Sequence, residues 1–225
     1  MPVYQLSQAL VFPDPEWANP EGILAVGGDL RVERLLLAYH QGIFPWYEEG
    51  SPIVWWSPPS RCVLHPEEFH ASRSLKRLIR QERFTISLDR AFGPVIRACA
   101  ETRLAKGQAT WITRDMVEAY CALHKAGFAH SVEAWDGQRL VGGMYGVSLG
   151  GAFFGESMFS RVSNASKVAF FSLTRQLEEW GFSLFDCQIS NPHLHSLGAY
   201  EILRADFLAR LSQALSLPTR RGSWG

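Results

Sequence analysis

The sequence has no excess of charge of either sign: 22 basic and 22 acidic residues cancel over 225 positions. That excludes a polybasic coat, so any contact with RNA must come from a local patch. No uninterrupted apolar run approaches the roughly 18 residues that a membrane span needs. The opening Met-Pro-Val-Tyr-Gln lacks the charged and apolar regions of a signal peptide. The expected compartment is the cytoplasm, with no membrane contact. Cysteine is sparse, and Cys62, Cys99, Cys121 and Cys187 form neither a C-x-x-C pair nor a zinc spacing. Reduced, mostly buried thiols are expected. No segment repeats, and none is of low complexity.

Hydrophobic residues make up 47% of the chain, enough for a well-buried core. Proline and tryptophan are concentrated early. Eight of the twelve prolines lie at or before Pro59, and four of the eight tryptophans are Trp17, Trp46, Trp55 and Trp56. Prolines at that density forbid long regular elements. One helix is expected among them, capped by Asp29, with Leu35 to Tyr39 as its body and Gly42 as its stop. Residues 1–62 therefore read as a small, loop-rich, aromatic N-terminal domain ending near Arg61, and residues 63–225 as a second domain.

The remainder alternates. Helices are predicted at Arg73–Glu82, Ala91–Ala100, Asn164–Trp180 and Asp206–Leu215, and at Thr113–Ala126 with Thr113 as cap and Gly127 as stop. Strands are predicted at Phe84–Asp89, Ala129–Trp135, Arg139–Val147, Ala152–Ser157 and Leu184–Cys187, with Asp136-Gly137 as a hairpin turn. The order β-α-α-β-β-β-α-β belongs to an α+β class and matches the GNAT-like (acyl-CoA N-acyltransferase-like) fold, which raises the prior for acyl transfer. A CoA-dependent member needs a glycine-bearing turn that cradles pyrophosphate before the long helix. The segment Glu156–Lys167 holds no glycine, so acetyl-CoA is not the expected donor.

Three features could serve another donor. Arg73, Lys76, Arg77, Arg80 and Arg83 cluster on one face at about 100° per residue, with Leu75, Leu78 and Ile79 behind them. Such a face suits phosphates; the alternative is an ordinary solvated amphipathic helix. Trp46 and Trp111 can stack a nucleobase or pack domains together, whereas packing is the favoured reading for Trp55 and Trp56. Asp186 and Gln188, at i and i+2 on an apolar strand, should share a face. A buried acid there needs a partner or a task, either a structural hydrogen-bond network or chemistry. A non-catalytic RNA-binding module would use the helix and the tryptophans but leave this pair idle.

At these residues the sequence resembles the leucyl/phenylalanyl-tRNA–protein transferase family, from about Phe12 to Phe207. The matching stretches are Gly22–Leu30, Gly42–Trp46, Trp55–Pro58, Thr110–Thr113, His130–Glu133, Val141–Gly146, Gly155–Arg161, Asn164–Lys167 and Asp186–Gln188. The resemblance implies a GNAT-like domain behind a small N-terminal one. It also implies transfer of Leu or Phe, and sometimes Met, from Leu-tRNA or Phe-tRNA to proteins beginning with Lys or Arg, marking them for N-end-rule degradation. By the same resemblance the terminal adenosine lies against Trp46 and Trp111, and the aminoacyl side chain enters a pocket of Met144, Phe153, Met158 and Phe185. Glu156, Asp186 and Gln188 surround the reacting ester and the acceptor amine, and the basic helix holds the acceptor stem. Where pocket-side aromatics are expected on the long helix, this sequence has Leu173 and Leu177, implying a roomier wall that admits Phe with Leu.

An aminoacyl ester is already activated, so no covalent enzyme intermediate, cofactor or metal is expected, and a monomer suffices. With an α-amine pKa of about 7.7–8.0, only a minority of acceptor is nucleophilic at neutral pH. The enzyme must juxtapose amine and ester, take or relay a proton, and steady the oxyanion. Asp186 and Gln188 are expected to orient the amine and help deprotonate it. For the basic helix, K76E/R80E should weaken tRNA binding whatever amino acid is attached, because phosphate contacts carry no sequence information. With about three phosphates neutralised, the log–log salt slope should be roughly −2 to −3. Unchanged tRNA affinity in that variant would return the helix to an ordinary solvated face.

Overall fold

Ser72 and Thr113 each precede an apolar-periodic run, and each side chain accepts the backbone N–H three residues on, from Leu75 and Met116. Two helices therefore begin where a hydroxyl can satisfy an orphan donor. The computed structural model of the protein describes residues 3–105, 107 and 109–225. Met1, Pro2, Lys106 and Gln108 lie outside the described residues, and with them the first two residues of the opening read above.

The N-terminal part has more order than its prolines suggested. Strands β1 (Tyr4–Leu6), β2 (Ile23–Gly27), β3 (Phe44–Pro45) and β4 (Val54–Trp56) form a sheet in the order β1-β2-β4-β3. Each is at most five residues long, too short for alternation to announce it. Pro45 sits on the edge strand β3, where a missing N–H costs least. The expected helix is α1 (Val32–His40), stopped by Gly42 at φ +73°. Asp29 does not cap it. Arg31 occupies the cap position, while the Asp29 carboxylate pairs with Arg31 and the buried Arg34 at 3.1 and 3.3 Å.

The second sheet has seven strands. They are β5 (Ser60–Leu64), β6 (Thr85–Leu88), β7 (Ala129–Asp136), β8 (Arg139–Leu149), β9 (Ala152–Ser160), β10 (Leu184–Gln188) and β11 (Tyr200–Leu203), ordered β11-β5-β10-β9-β8-β7-β6. Among the described residues of this sheet, only the β9–β10 pair is parallel. The helices are α2 (Arg73–Arg80), α3 (Phe92–Leu104), α4 (Arg114–Lys125), α5 (Ala165–Glu179), α6 (Pro192–Ser196) and α7 (Arg204–Leu215). Strands β5 and β11 and the short α6 were not anticipated. The expected end of the small domain, near Arg61, falls inside β5.

Two cores flank this sheet. One gathers α1, α3, α4 and α7 around Leu35, Tyr39, Trp55, Val95, Tyr120, Phe154 and Phe207, so the N-terminal segment shares it. The other lies under α2 and α5, around Leu75, Val132, Phe170, Leu173 and Phe185. Cys62, Cys99 and Cys187 are buried, Cys121 is half-buried, and all four are free thiols. No helix among the described residues is long and apolar enough to cross a membrane.

The stretch His130–Glu133 serves structure. Buried His130 bonds Asp89 at 2.8 Å and stacks on Trp224 with ring centroids 3.7 Å apart. The buried Glu133 carboxylate accepts from Ser87 and Ser131.

Trp55 is fully buried, donates to the Gly27 carbonyl at 2.9 Å and meets Phe12 edge-on. Packing is its task. Trp55→Ala should cost about 3–5 kcal/mol of stability, measured by urea unfolding, and a loss under 1 kcal/mol would contradict this placement.

Candidate active site

Strands β9 and β10 pair only as far as Phe154 and Asp186. Beyond that point β9 continues along β8 to Ser160, while β10 follows β5 to Gln188. The sheet therefore opens, and a cavity of about 700 Å³ is lined by Gly155, Glu156, Ser157 and Met158 on one side and Phe185, Cys187 and Gln188 on the other. Trp46, Trp111, Met144 and Phe170 also line it.

Glu156 stands at a bulge. Tyr145 faces Ser157 and Gly146 faces Gly155, so Glu156 is the extra residue. Its carboxyl is buried beneath Tyr39 of α1 and Tyr120 of α4. Tyr39 donates to Oε1 at 2.6 Å and Tyr120 to Oε2 at 3.1 Å, and the two hydroxyls also touch one another. Gln188 Nε2 donates to Oε1 at 2.7 Å. Burial raises the Glu156 pKa to about 7, although these three hydrogen bonds favour its charged form. The same burial, with the nearby carboxyl, holds both tyrosines well above their usual range. Glu156 thus changes charge near neutral pH, where a proton acceptor is most useful.

Asp186 is placed differently from the expectation that it meets the amine. It is fully buried and does not line the cavity. Its oxygens accept from Arg61 Nε and Nη2 at 2.9 and 2.7 Å, and Oδ1 also accepts from the Gln188 backbone N–H at 2.8 Å. The register shifts between Asp186 and Gln188, and Gln188 has φ +62°. The backbone turns there, so the i, i+2 pair acquires separate partners. The carboxylate is engaged by three donors, two of them from the Arg61 guanidinium.

The other expected residues divide likewise. Trp46 is 39% exposed and tilts against Trp56 with centroids 5.4 Å apart, while Trp111 is half-buried just before α4. Met144, Met158 and Phe185 line the cavity, but Phe153 packs behind Phe185 at 5.2 Å. Leu173 and Leu177 do not form a pocket wall. Both are buried in the core under α5, and Phe170 is the residue of that helix that reaches the cavity. Arg73, Lys76, Arg77, Arg80 and Arg83 are all exposed, with Leu75 buried beneath them. None of the five enters an ion pair among the described residues.

Sequence reasoning missed Tyr39, Tyr120, Arg61 and Phe170. The two tyrosines and Phe170 sit on apolar helix faces, where an aromatic reads as packing. Arg61 sat at an expected domain edge, where a charge reads as solvated. Arg103, Asn191 and His193 also line the cavity. Burial, helped by Lys167, lowers the His193 pKa.

Indole faces for a base, an apolar end for a side chain and a buried acid that titrates near 7 suit a transferase acting on an amino acid attached to a nucleoside. Comparison with known proteins narrows the class. The model for the leucyl/phenylalanyl-tRNA protein transferase family matches residues 63–212, and that for its N-terminal domain matches residues 28–59. A leucyl/phenylalanyl-tRNA–protein transferase of Desulfatibacillum aliphaticivorans is 58% identical over 100% of this chain and 96% of its own length. One of Pseudomonas fluorescens (strain SBW25) is 54% identical over 96% of each. A solved structure, L-PGS from Bacillus licheniformis, aligns with a TM-score of 0.43 at 15% identity, over 75% of this chain and 54% of that one, and nothing about function follows from it. The chain belongs to the leucyl/phenylalanyl-tRNA–protein transferase family and is an aminoacyl-transferring enzyme.

Trp111→Ala should raise KM for aminoacyl-tRNA and for a minimal aminoacyl-adenosine alike, by the equivalent of about 1–3 kcal/mol if a base stacks there. Loss of thermal stability with intact kinetics would make Trp111 a packing residue.

Proposed function

We propose that the cavity holds the aminoacyl-adenosine end of Leu-tRNA or Phe-tRNA and that Glu156 takes the proton of the attacking amine. The acceptors are proteins with N-terminal Lys or Arg, and Met is tolerated as a donor residue. The product is marked for N-end-rule degradation, and the reaction takes place in the cytoplasm, where charged tRNA is found. The observation carrying this reading is the buried Glu156–Gln188 pair at the opened sheet, with the Glu156 pKa raised to about 7.

The adenine stacks on Trp46 and Trp111, and the amino-acid side chain lies against Met144, Met158, Phe185 and Phe170. Gln188 spends its Nε2 on Glu156, and its carbonyl is left to accept from the acceptor's amine. The neutral amine attacks the ester carbonyl, forming the new C–N bond. The amine proton passes to Glu156, the ester C–O bond breaks, and the proton ends on the departing ribose oxygen. Asp186 and Arg61 hold the turn that carries Gln188. Positioning supplies most of the effect, since the ester is already activated.

The exposed basic residues of α2, with Arg83, are read as the seat of the acceptor stem. The strand order, with a parallel pair that parts at its end, supports a GNAT-like domain. The two separate family matches, 28–59 and 63–212, support a small N-terminal unit and an aminoacyl-transfer unit meeting near residues 60–62. A single chain supplies every group named, so a monomer is sufficient.

Two groups, Glu156 and the amine, must lose a proton before attack. At low pH the logarithm of kcat/KM for an Arg-initiated peptide should rise with a slope of about 2, falling to about 1 in Glu156→Gln. A slope unaffected by Glu156→Gln would remove Glu156 as the acceptor.

A further inference from the structure

We propose that Arg61 is a positioning residue for the transfer, a buried guanidinium that braces two walls of the cavity against each other. This rests on the reading that Gln188 and Glu156 carry the chemistry. Arg61 lies on β5 with its side chain 1% exposed. Nε and Nη2 grip both Asp186 oxygens, and Nη1 donates to the Gly42 carbonyl at 3.0 Å. The guanidinium carbon lies over the rings of Phe44 and Phe207, 4.7 and 4.4 Å from their centroids.

Each contact leads to a cavity wall. Asp186, held by the fork, accepts the Gln188 N–H, and Gln188 sits at φ +62°. That is a costly conformation for a residue with a Cβ, and it persists only where its surroundings enforce it. The turn directs the Gln188 amide onto Glu156. Gly42 ends α1 and leads directly into Phe44, Pro45 and Trp46, all of which line the cavity. One side chain therefore fixes both the Gln188 turn and the Trp46 segment. A buried ion pair is rarely more stabilising than apolar residues of similar volume, and apolar residues could not hold the Gly42 carbonyl and the Gln188 amide together. The pair's contribution is geometry.

The test uses two variants of the whole protein: Arg61→Lys, which keeps the charge opposite Asp186 but cannot span three acceptors, and Arg61→Met with Asp186→Leu, which replaces the pair by apolar volume. Near-UV circular dichroism gives the folded fraction, and transfer from Phe-tRNA to an Arg-initiated peptide gives kcat per folded molecule. In a folded variant kcat should fall about 10²-fold, the usual consequence of a misplacement near 1 Å. KM for aminoacyl-adenosine should rise several-fold as the Trp46 segment loosens. In Arg61→Lys, which keeps the Asp186 charge, the acid limb belonging to Glu156 should move above 7, because the Gln188 hydrogen bond that lowers its pKa is lost. A merely structural Arg61 predicts a lower melting temperature with kcat per folded molecule and the limb unchanged, and that result overturns the inference. Wild-type kcat in both Gln188→Ala and Glu156→Gln would instead overturn the reading of the site on which the brace depends.

Discussion

A sheet that parts in its middle leaves ladder groups facing a gap, and buried backbone groups cannot be left unpaired. Here β9 and β10 separate after Phe154 and Asp186, and the rest of the site follows from how the separation is stabilised. On the β10 side a carboxylate replaces the neighbouring strand, with Asp186 accepting the Gln188 N–H. That carboxylate is in turn neutralised by Arg61. On the β9 side a bulge absorbs the divergence and projects Glu156 inward. The gap supplies the volume for a ligand, and the groups that hold it open also direct Gln188 and Glu156 at that volume.

Glu156 shows the tension between stability and function. Its pKa in the fold is raised from the ordinary 4.5 to about 7, first by burial. The stability linked to the neutral carboxyl is fully present below pH 4.5 and is lost as pH rises through about 7. Proton acceptance requires the ionised form. On the proposed reading of Glu156 as proton acceptor, the site works best where this residue contributes least to folding. Tyr39, Tyr120 and Gln188 offset part of that cost by hydrogen-bonding the carboxylate.

The N-terminal segment is part of the cavity's architecture, not an appendage. Tyr39 reaches Glu156 from α1, Gly42 is held by Arg61, and Phe44 to Trp46 line the cavity. The first core passes without interruption from Leu24, Leu35 and Trp55 to Tyr120, Phe154 and Phe207. Folding of the small sheet and assembly of the site are thus linked through shared burial.

The long elements were legible because their signals are local. A hydroxyl cap before an apolar period, a glycine stop and a D-G hairpin act within a few residues of chain, so α4, α5 and the β7–β8 hairpin appear close to their expected bounds. So does the basic face of α2, a matter of helical period alone. The strands of the small sheet and β5 were not legible, since elements of two to five residues are defined by their partners rather than by pattern. The site divided along the same line. Residue type and spacing marked Trp46, Trp111 and Gln188, the family resemblance implied Glu156, Met144, Met158 and Phe185, and all of these line the cavity. The tertiary structure alone decided that Asp186 faces Arg61, that Phe170 and not Leu173 or Leu177 reaches the cavity, and that Phe153 stands behind it. The reason is physical: alternation and helical period assign a residue to a face, whereas a bulge, a left-handed turn and a buried ion pair 125 residues apart in sequence decide what that face meets.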